Sequence, residues 1–418
     1  MRKASLVLFL LLTLPASFSP AARADRYEDL MGVYHPYKYV ESSSTPAPKG
    51  YKPFYISHIG RHGSRYPVNA AYVANGLSPL SAADSLGLLT PEGRRLLKCF
   101  RNLDIVSRGT YGLISELGAQ EHRQIAARMA ERFPELFSGR RGRDSVACFC
   151  THKQRAILSM TNFASVLAAR APRMKMSFAA GERWYDVLCA EDKAASGLKG
   201  GSRKADAAMA ERFDFRAFYA RIFNDPSAGR KLVKNDRLMA ETCFTNGTVA
   251  AALGYPELMR FLTPEEYEVT ALVYNAKMYY KHCGSAEQGE WRMHIMDNLV
   301  ADFVTRADRA VMGNAVAADL RFSHDVGLMP FFSLIGLKGF DSRVTFEEAS
   351  DVWDSSVLMP MACNLQMVFY SNRKGDILVK LLLNEVETCI PALGPGPWYS
   401  WPELRSYLVS LITVPLRS

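Results

Sequence analysis

Short apolar stretches rich in β-branched and aromatic residues alternate along the chain with longer segments whose apolar residues recur at helical spacing. The short stretches predict six β-strands, at 54–59, 144–150, 174–178, 318–322, 364–370 and 377–383. The longer segments predict a helix opened by Thr90 and helices at 118–136, 151–170, 291–312, 327–335 and 402–412, with Thr151 capping the third. Strands that alternate with helices are typical of an α/β fold with a mostly parallel central sheet.

The alternation stops between Glu182 and Gly289, where charged helical segments follow one another without an intervening strand. Within this block, Thr263 and Pro264 form an N-cap and a first-turn proline, which is a typical helix start. We therefore expect an α/β core made of residues 25–181 and 290–418, with residues 182–289 inserted as a helical cap.

The first 24 residues have the three features of a secretory signal. Arg2 and Lys3 form a basic start, residues 6–14 an apolar stretch too short to span a bilayer, and Ala22–Ala24 a cleavage-site pattern. We expect the mature chain to begin at Asp25. The protein is then exported, to the periplasm or the medium, without a stable membrane anchor.

The composition, 48% hydrophobic and 22% charged, is that of a globular protein and excludes a disordered one. No internal stretch reaches the roughly 18 uncharged apolar residues of a membrane helix, which excludes a polytopic membrane protein. The net charge of +9 is compatible with an anionic substrate and equally with a slightly biased solvated surface. No basic run with interleaved aromatic residues predicts nucleic-acid binding.

The chain contains 8 cysteines, and an even number in an exported protein predicts disulfides whose pairing the spacing leaves open. Cys148 and Cys150 form a C-x-C pair on a predicted strand, without His or Cys partners at zinc-like spacing. We therefore expect these two to be structural, and no metal site.

Three predicted strand ends carry groups suited to phosphate chemistry. The first strand runs into Arg61-His62-Gly63-Ser64-Arg65, where an imidazole lies between two guanidinium groups that match phosphate oxygens. The second strand is followed by Arg155 at a helix start, and the 318–322 strand by His324-Asp325. Taken singly, Arg155 is as well explained as a surface residue and Asp325 as a helix cap. Together the three ends predict phosphoryl transfer, since ligands bind at strand carboxyl ends.

The pattern Arg61-His62-Gly63-x-Arg65-x-Pro67 with a late His324-Asp325 resembles the histidine acid phosphatases. The resemblance is closest to the multiple inositol polyphosphate phosphatases, a group that includes phytases. It is supported at 37–40, 50–57, 116–121 and 320–325, which together span most of the mature chain.

The resemblance implies a role for each residue of the pattern. His62 would be the nucleophile that becomes phosphohistidine, Asp325 the proton donor, and His324 a phosphate-binding histidine. Arginines would bind the phosphate, namely Arg61, Arg65 and Arg155. The implied function is hydrolysis of phosphomonoesters, with phytate or another inositol polyphosphate as substrate and no cofactor.

Two positions depart from the pattern of the inositol polyphosphate group. That group usually has His-Ala-Glu where this chain has His324-Asp325-Val326, so the acid is one position closer, as in acid phosphatases and many phytases. Val68 replaces a threonine that often follows the proline of the loop.

Two alternatives remain open at the level of the sequence. One is a broad-specificity acid phosphatase, and the other is a non-catalytic protein that binds a phosphorylated ligand on the same scaffold. Further polar residues have no assigned role, namely His58, His152, Lys153, Arg183, Lys277, Lys281 and His282.

Overall fold

The computed structural model describes residues 27–139, 142–190 and 200–416. The predicted signal segment lies outside these residues. Within them, no helix is both long and apolar enough to cross a membrane.

The described strands form one mixed sheet in the order β3-β2-β4-β1-β5-β6-β7, with β8 paired to β6. Strands β1 to β4 run parallel, whereas β5 to β8 are added antiparallel at one side. The strands are β1 (Lys52–Arg61), β2 (Ser145–Cys150), β3 (Lys175–Ala180), β4 (Val316–Ser323), β5 (Asn364–Ser371), β6 (Ile377–Leu383), β7 (Val386–Glu387) and β8 (Trp398–Ser400). The predicted α/β class with a mostly parallel centre is confirmed.

Helices flank the sheet and form a further layer beside it. Those in the first half are α1 (Ala70–Ser85), α2 (Pro91–Ser107), α3 (Glu116–Arg132), α4 (Gln154–Arg170), α5 (Glu182–Leu188), α6 (Gly201–Arg212), α7 (Phe215–Ile222) and α8 (Pro226–Arg230). Those in the second half are α9 (Asp236–Ala252), α10 (Pro264–His282), α11 (Gly289–His294), α12 (Asp297–Val311), α13 (Asp325–Leu334), α14 (Ala349–Val352), α15 (Ser355–Leu358) and α16 (Trp401–Ser410).

Side chains on the two faces of the sheet enter two separate apolar cores. Ile56 of β1 packs on one face with residues of α3 and α4, whereas Tyr55 and Ile59 enter the larger core on the other face. This alternation follows from the two-residue period of a strand. Because both faces of β1 are covered, its last seven residues are buried, and the chain reaches the sheet edge in a fixed position.

The predicted helix starts agree with the structure at Thr90 and Thr263. The Thr90 hydroxyl accepts from the amide of Gly93, and Thr263 forms a capping box with Glu266. Thr151 does not cap α4, whose N-cap is Lys153.

The helical layer also includes segments outside the predicted insertion. Helix α1 was not predicted, and it packs against α9, while α2 packs against α7. The described parts of 182–289 contain helices α5 to α10 and no strand. The limits of 182–289 as a separate cap remain a prediction.

The structure corrects the expectation of disulfides. All eight cysteines lie within the described residues, and all are free thiols. Cys148 and Cys150 point to the same face of β2 and are buried among apolar side chains. Most of the others are spread over different elements, where each packs as a small apolar residue.

Candidate active site

Three neighbouring strands of the sheet end at one edge and bring the predicted groups together. In the parallel register, Arg61 at the end of β1 lies beside Ser323 of β4, and Cys150 of β2 lies beside Phe322. The residues that follow these strands therefore meet where ligands of α/β sheets bind.

The loop after β1 is held by hydrogen bonds on several sides. The amide of His62 donates to the carbonyl of Ser323 (3.0 Å), and the amide of Gly63 donates to Ser159 Oγ (3.1 Å). Gly63 packs directly on Gly118 near the start of α3, because a Cβ on Gly63 would lie 2.7 Å from Gly118 Cα. A side chain at either glycine would push the loop away from α3.

Glu121 of α3 holds the same loop in place through hydrogen bonds. Its carboxylate accepts from the amide and the hydroxyl of Ser64, both at 2.7 Å, and from the amide of Tyr37 at 2.9 Å. Burial raises the pKa of Glu121 against the lowering effect of these hydrogen bonds. The sequence drew attention to 116–121 only as part of the resemblance, without a role for Gly118 or Glu121.

His62 is held as a neutral imidazole of one tautomer. Its Nδ1 lies 3.0 Å from the carbonyl oxygen of Gly63, which only accepts, so Nδ1 carries the proton. Nε2 has no hydrogen-bond partner among the described residues, and its lone pair is free. Burial, reinforced by the charges of Arg155 and Arg61, lowers the pKa of His62 well below its usual range.

His324 lies beside His62, with ring centroids 5.4 Å apart. Its Nε2 shares a hydrogen bond of 2.9 Å with Thr151 Oγ1 at the end of β2. Burial and the charge of Arg155 lower the pKa of His324 well below its usual range. Thr151 thus orients a histidine from the neighbouring strand, a contact that the sequence did not predict.

Arg61 and Asp325 form a partly buried ion pair, with Nη2 of Arg61 2.7 Å from Oδ2 of Asp325. Arg61 Nη1 also donates to the carbonyls of Val33 (2.5 Å) and Met359 (2.9 Å). Burial raises the pKa of Asp325, but the charges of Arg61 and Arg65 outweigh it, and the pKa falls to about 2. Arg61 is fully buried behind Asp325 and does not line the cavity described next.

A cavity of about 770 Å³ opens in front of these residues and is lined by His62, His324 and Asp325. The cationic residues in its wall are Arg65, Arg155, Arg237, Lys277, Lys281 and Arg292. Its acidic residues are Asp325 and Glu241. Cations therefore outnumber carboxylates, and the cavity favours an anionic ligand.

Glu241 ties two of these cations together across helices α9 and α10. Its Oε2 accepts from Arg237 Nη1 (2.6 Å) and from Lys277 Nζ (2.5 Å). Both cations are thereby held at the wall of the cavity.

Four other polar residues singled out in the sequence, His58, His152, Lys153 and Arg183, do not line this cavity, whereas His282 does. His58 packs between Phe163 and Phe322 in the core. His152 and Lys153 lie beside the ring of Tyr185, and Arg183 lies over Trp184. Val68, by contrast, lines the cavity. The described residues contain no group of three or more His, Cys, Asp or Glu side chains placed to hold a metal.

No protein-family model and no curated protein sequence matches this chain. Solved structures do match it. The multiple inositol polyphosphate phosphatase of Bifidobacterium longum, in complex with inositol hexasulfate, aligns over 93% of this chain and 99% of its own, with a TM-score of 0.79 and 19% identity. This chain has the fold of that phosphatase.

Two phytases share the same fold more distantly. The phytase of D. castellii aligns over 96% of this chain and 88% of its own, with a TM-score of 0.62 and 15% identity. The Hafnia alvei phytase covers 88% of this chain and 100% of its own, with a TM-score of 0.54 and 12% identity. The predicted resemblance to this group of phosphatases is confirmed in the fold.

Proposed function

We propose that the protein is a phosphomonoesterase that acts through a phosphohistidine on His62. The observation that carries the proposal is the fixed tautomer of His62, with Nδ1–H on the carbonyl of Gly63 and a free lone pair on Nε2. A neutral imidazole in a cavity lined with cations is suited to attack phosphorus. Arg65, Arg155 and His324 surround the same space and would bind the phosphate oxygens.

In the first step, Nε2 of His62 forms a bond to phosphorus while the bond from phosphorus to the ester oxygen breaks. Asp325 gives its proton to the departing oxygen. In the free site the pKa of Asp325 is about 2, so the carboxyl group must gain a proton as substrate binds. The negative charge of a phosphate against Arg65 and Arg155 offsets the cations around Asp325 and raises its pKa.

In the second step, water attacks the phosphorus of the phosphohistidine and the N–P bond breaks. Asp325, now a carboxylate, accepts the proton of that water. Inorganic phosphate leaves, and His62 returns to the neutral tautomer. Arg61 remains paired with Asp325 and holds the carboxylate in place between the two steps.

The proposed substrates are inositol polyphosphates such as phytate. The number of cations in the cavity wall exceeds what a single phosphate group uses, and several lie on α9, α10 and α11, away from His62. The Bifidobacterium longum phosphatase of the same fold was solved with inositol hexasulfate and with phosphate. A ligand with several anionic groups on one ring would contact both the sheet edge and the helical wall.

Export is part of the proposal and rests on the first 24 residues alone, since the free cysteines give it no support. Expression of the full chain with its own leader in a bacterial host would test it. Recovery outside the cytoplasm of a chain that starts at Asp25 is the expected result. A cytoplasmic chain that retains Arg2 and Lys3 would contradict export.

The enzymatic part is tested by incubation with phytate and ion chromatography of the products, with His62→Ala as the inactive control. We expect a series of lower inositol phosphates, with one phosphate released for each ester bond that is hydrolysed. Turnover of p-nitrophenyl phosphate without turnover of phytate would indicate a broad acid phosphatase instead. Binding without turnover of either substrate would indicate a ligand-binding protein.

A further inference from the structure

His282, the last residue of α10, lies in the wall of the same cavity as His62 and Asp325. Only 8% of the residue is exposed. It has no part in the two steps proposed for His62 and Asp325, and the sequence alone predicts no role for it. It belongs to a helix of the helical layer and not to a strand of the sheet.

The hydrogen bond from Arg292 fixes the tautomer of His282. Arg292 Nη2 lies 3.0 Å from Nδ1 of His282, and a guanidinium only donates, so Nδ1 must be the acceptor. The proton of the neutral ring is therefore on Nε2. Burial and the charges of Arg292 and Lys281 lower the pKa of His282 well below its usual range, which keeps the ring neutral.

Nε2–H of His282 has no hydrogen-bond acceptor among the described residues, yet the nitrogen is not fully buried. It is therefore open to the cavity. This N–H is polarised by its surroundings and has no acceptor among the described residues. It is therefore suited to donate a hydrogen bond to an oxygen atom of a ligand. The bond from Arg292 strengthens it, since a ring nitrogen that accepts from a cation makes the opposite N–H a better donor.

His282 is also close to the proposed proton donor. The negative charge of Asp325 raises the pKa of His282 against the larger lowering effect of burial, which shows that the two groups lie near each other. Arg292 Nη2 donates to the carbonyl of Val326 as well (3.0 Å), so one guanidinium links His282 to the first turn of α13. This places His282 on the side of the cavity where the leaving group departs.

We propose that His282 binds the leaving-group side of the substrate, with Nε2–H donating to an oxygen of the inositol ring or of a phosphate next to the scissile one. A neutral donor suits this position because it binds the oxygen without adding a full positive charge beside Asp325. The assignment rests on the proposed function and adds a residue that selects for substrates larger than a simple phosphate.

His282→Asn and His282→Gln separate this role from a structural one. The Asn carbonyl can still accept from Arg292, but no donor reaches the position of Nε2, whereas the Gln amide nitrogen does reach it. His152→Asn is the matched control, because His152 packs on Tyr185 and does not line the cavity. Thermal unfolding checks that each variant is folded, and His282→Phe replaces the Asn variant if that fails.

The readouts are calorimetric affinity for inositol hexasulfate, inhibition by inorganic phosphate, and kcat and KM for phytate. Loss of one hydrogen bond to a charged ligand should weaken hexasulfate binding and raise the KM for phytate about 10-fold in His282→Asn. Inhibition by phosphate, which has no leaving group, should stay within about twofold. His282→Gln should recover most of the affinity, and His152→Asn should match wild type.

Unchanged hexasulfate affinity in His282→Asn would overturn the assignment, as would equal weakening of hexasulfate and phosphate. The affinity measurement is independent of turnover. A wild-type protein that binds hexasulfate without hydrolysing phytate therefore refutes the proposed enzyme, while the variants still decide the role of His282.

Discussion

Replacement of Asp325 by Asn removes a proton donor while it preserves the size of the side chain. The substitution also changes the ion pair with Arg61, whose Nη2 lies 2.7 Å from the carboxylate. Arg61 keeps its bonds to the carbonyls of Val33 and Met359, and an Asn oxygen can still accept from it. We therefore expect a folded variant whose principal defect is in proton transfer.

The substitution should affect both the stability of the protein and its turnover. The pKa of Asp325 is lowered from 3.8 to about 2, which corresponds to roughly 2 kcal/mol of stability at neutral pH. Because the folded pKa is the lower one, this stability is present above about pH 4 and is lost as the pH falls through 2. Loss of general acid catalysis should lower kcat for phytate by about 10²–10⁴-fold.

The assay compares phytate with p-nitrophenyl phosphate. The nitrophenolate is a stable anion that departs without a proton, so its kcat should fall much less, provided that hydrolysis of the phosphohistidine does not limit the rate. Asp214→Asn is the control, since Asp214 only caps α7 and Asn is an equally good cap. Small and equal losses on both substrates in Asp325→Asn would refute the assignment of Asp325 as proton donor.

Three further predictions concern the scaffold of the site. Glu121→Gln leaves one side-chain oxygen to accept from the amide and the hydroxyl of Ser64. We expect kcat to fall at least about 10-fold and the free energy of unfolding in urea to fall by about 1–3 kcal/mol. An unchanged kcat would contradict this. In the folded protein the pKa values of His58 and His122 are about 3, so these histidines bind more protons in the unfolded state. For each of the two, the free energy of unfolding should fall by about 1.4 kcal/mol per pH unit as the pH falls from 6.5 towards 3. Urea unfolding at pH 7 and pH 5 measures this slope, and His122→Gln should make it shallower. Thiol titration of the native protein should label Cys99 alone, since the other seven cysteines are buried, and eight thiols should react in denaturant.

The strand ends were predictable because their signals are local. The run of β-branched and aromatic residues before Arg61 predicts a strand, and parallel strands bring their carboxyl ends to one edge. Arg155 illustrates this well, since no motif surrounds it, yet it reaches the cavity because β2 lies next to β4. The groups at three strand ends could therefore be predicted to meet before their distances were known.

The contacts within the site could not be predicted, because they depend on residues far apart in the chain. Glu121 reaches Ser64 only because α3 packs on the loop after β1, and Thr151 reaches His324 only through the order of the strands. Helix α1 escaped prediction because Gly76 and Pro79 interrupt its pattern. The even number of cysteines suggested disulfides, but all eight are free thiols, seven of them buried.

In the proposed reaction, His62 carries the phosphoryl group between the two steps. Phytate labelled with ³²P, mixed with enzyme and quenched in alkaline denaturant within milliseconds, preserves a phosphohistidine for peptide mapping. We expect label on the peptide that contains His62, and we expect this label to be lost on exposure to acid and to be absent from His62→Ala. Label on Ser64, or rapid turnover with no labelled peptide at any quench time, would contradict it.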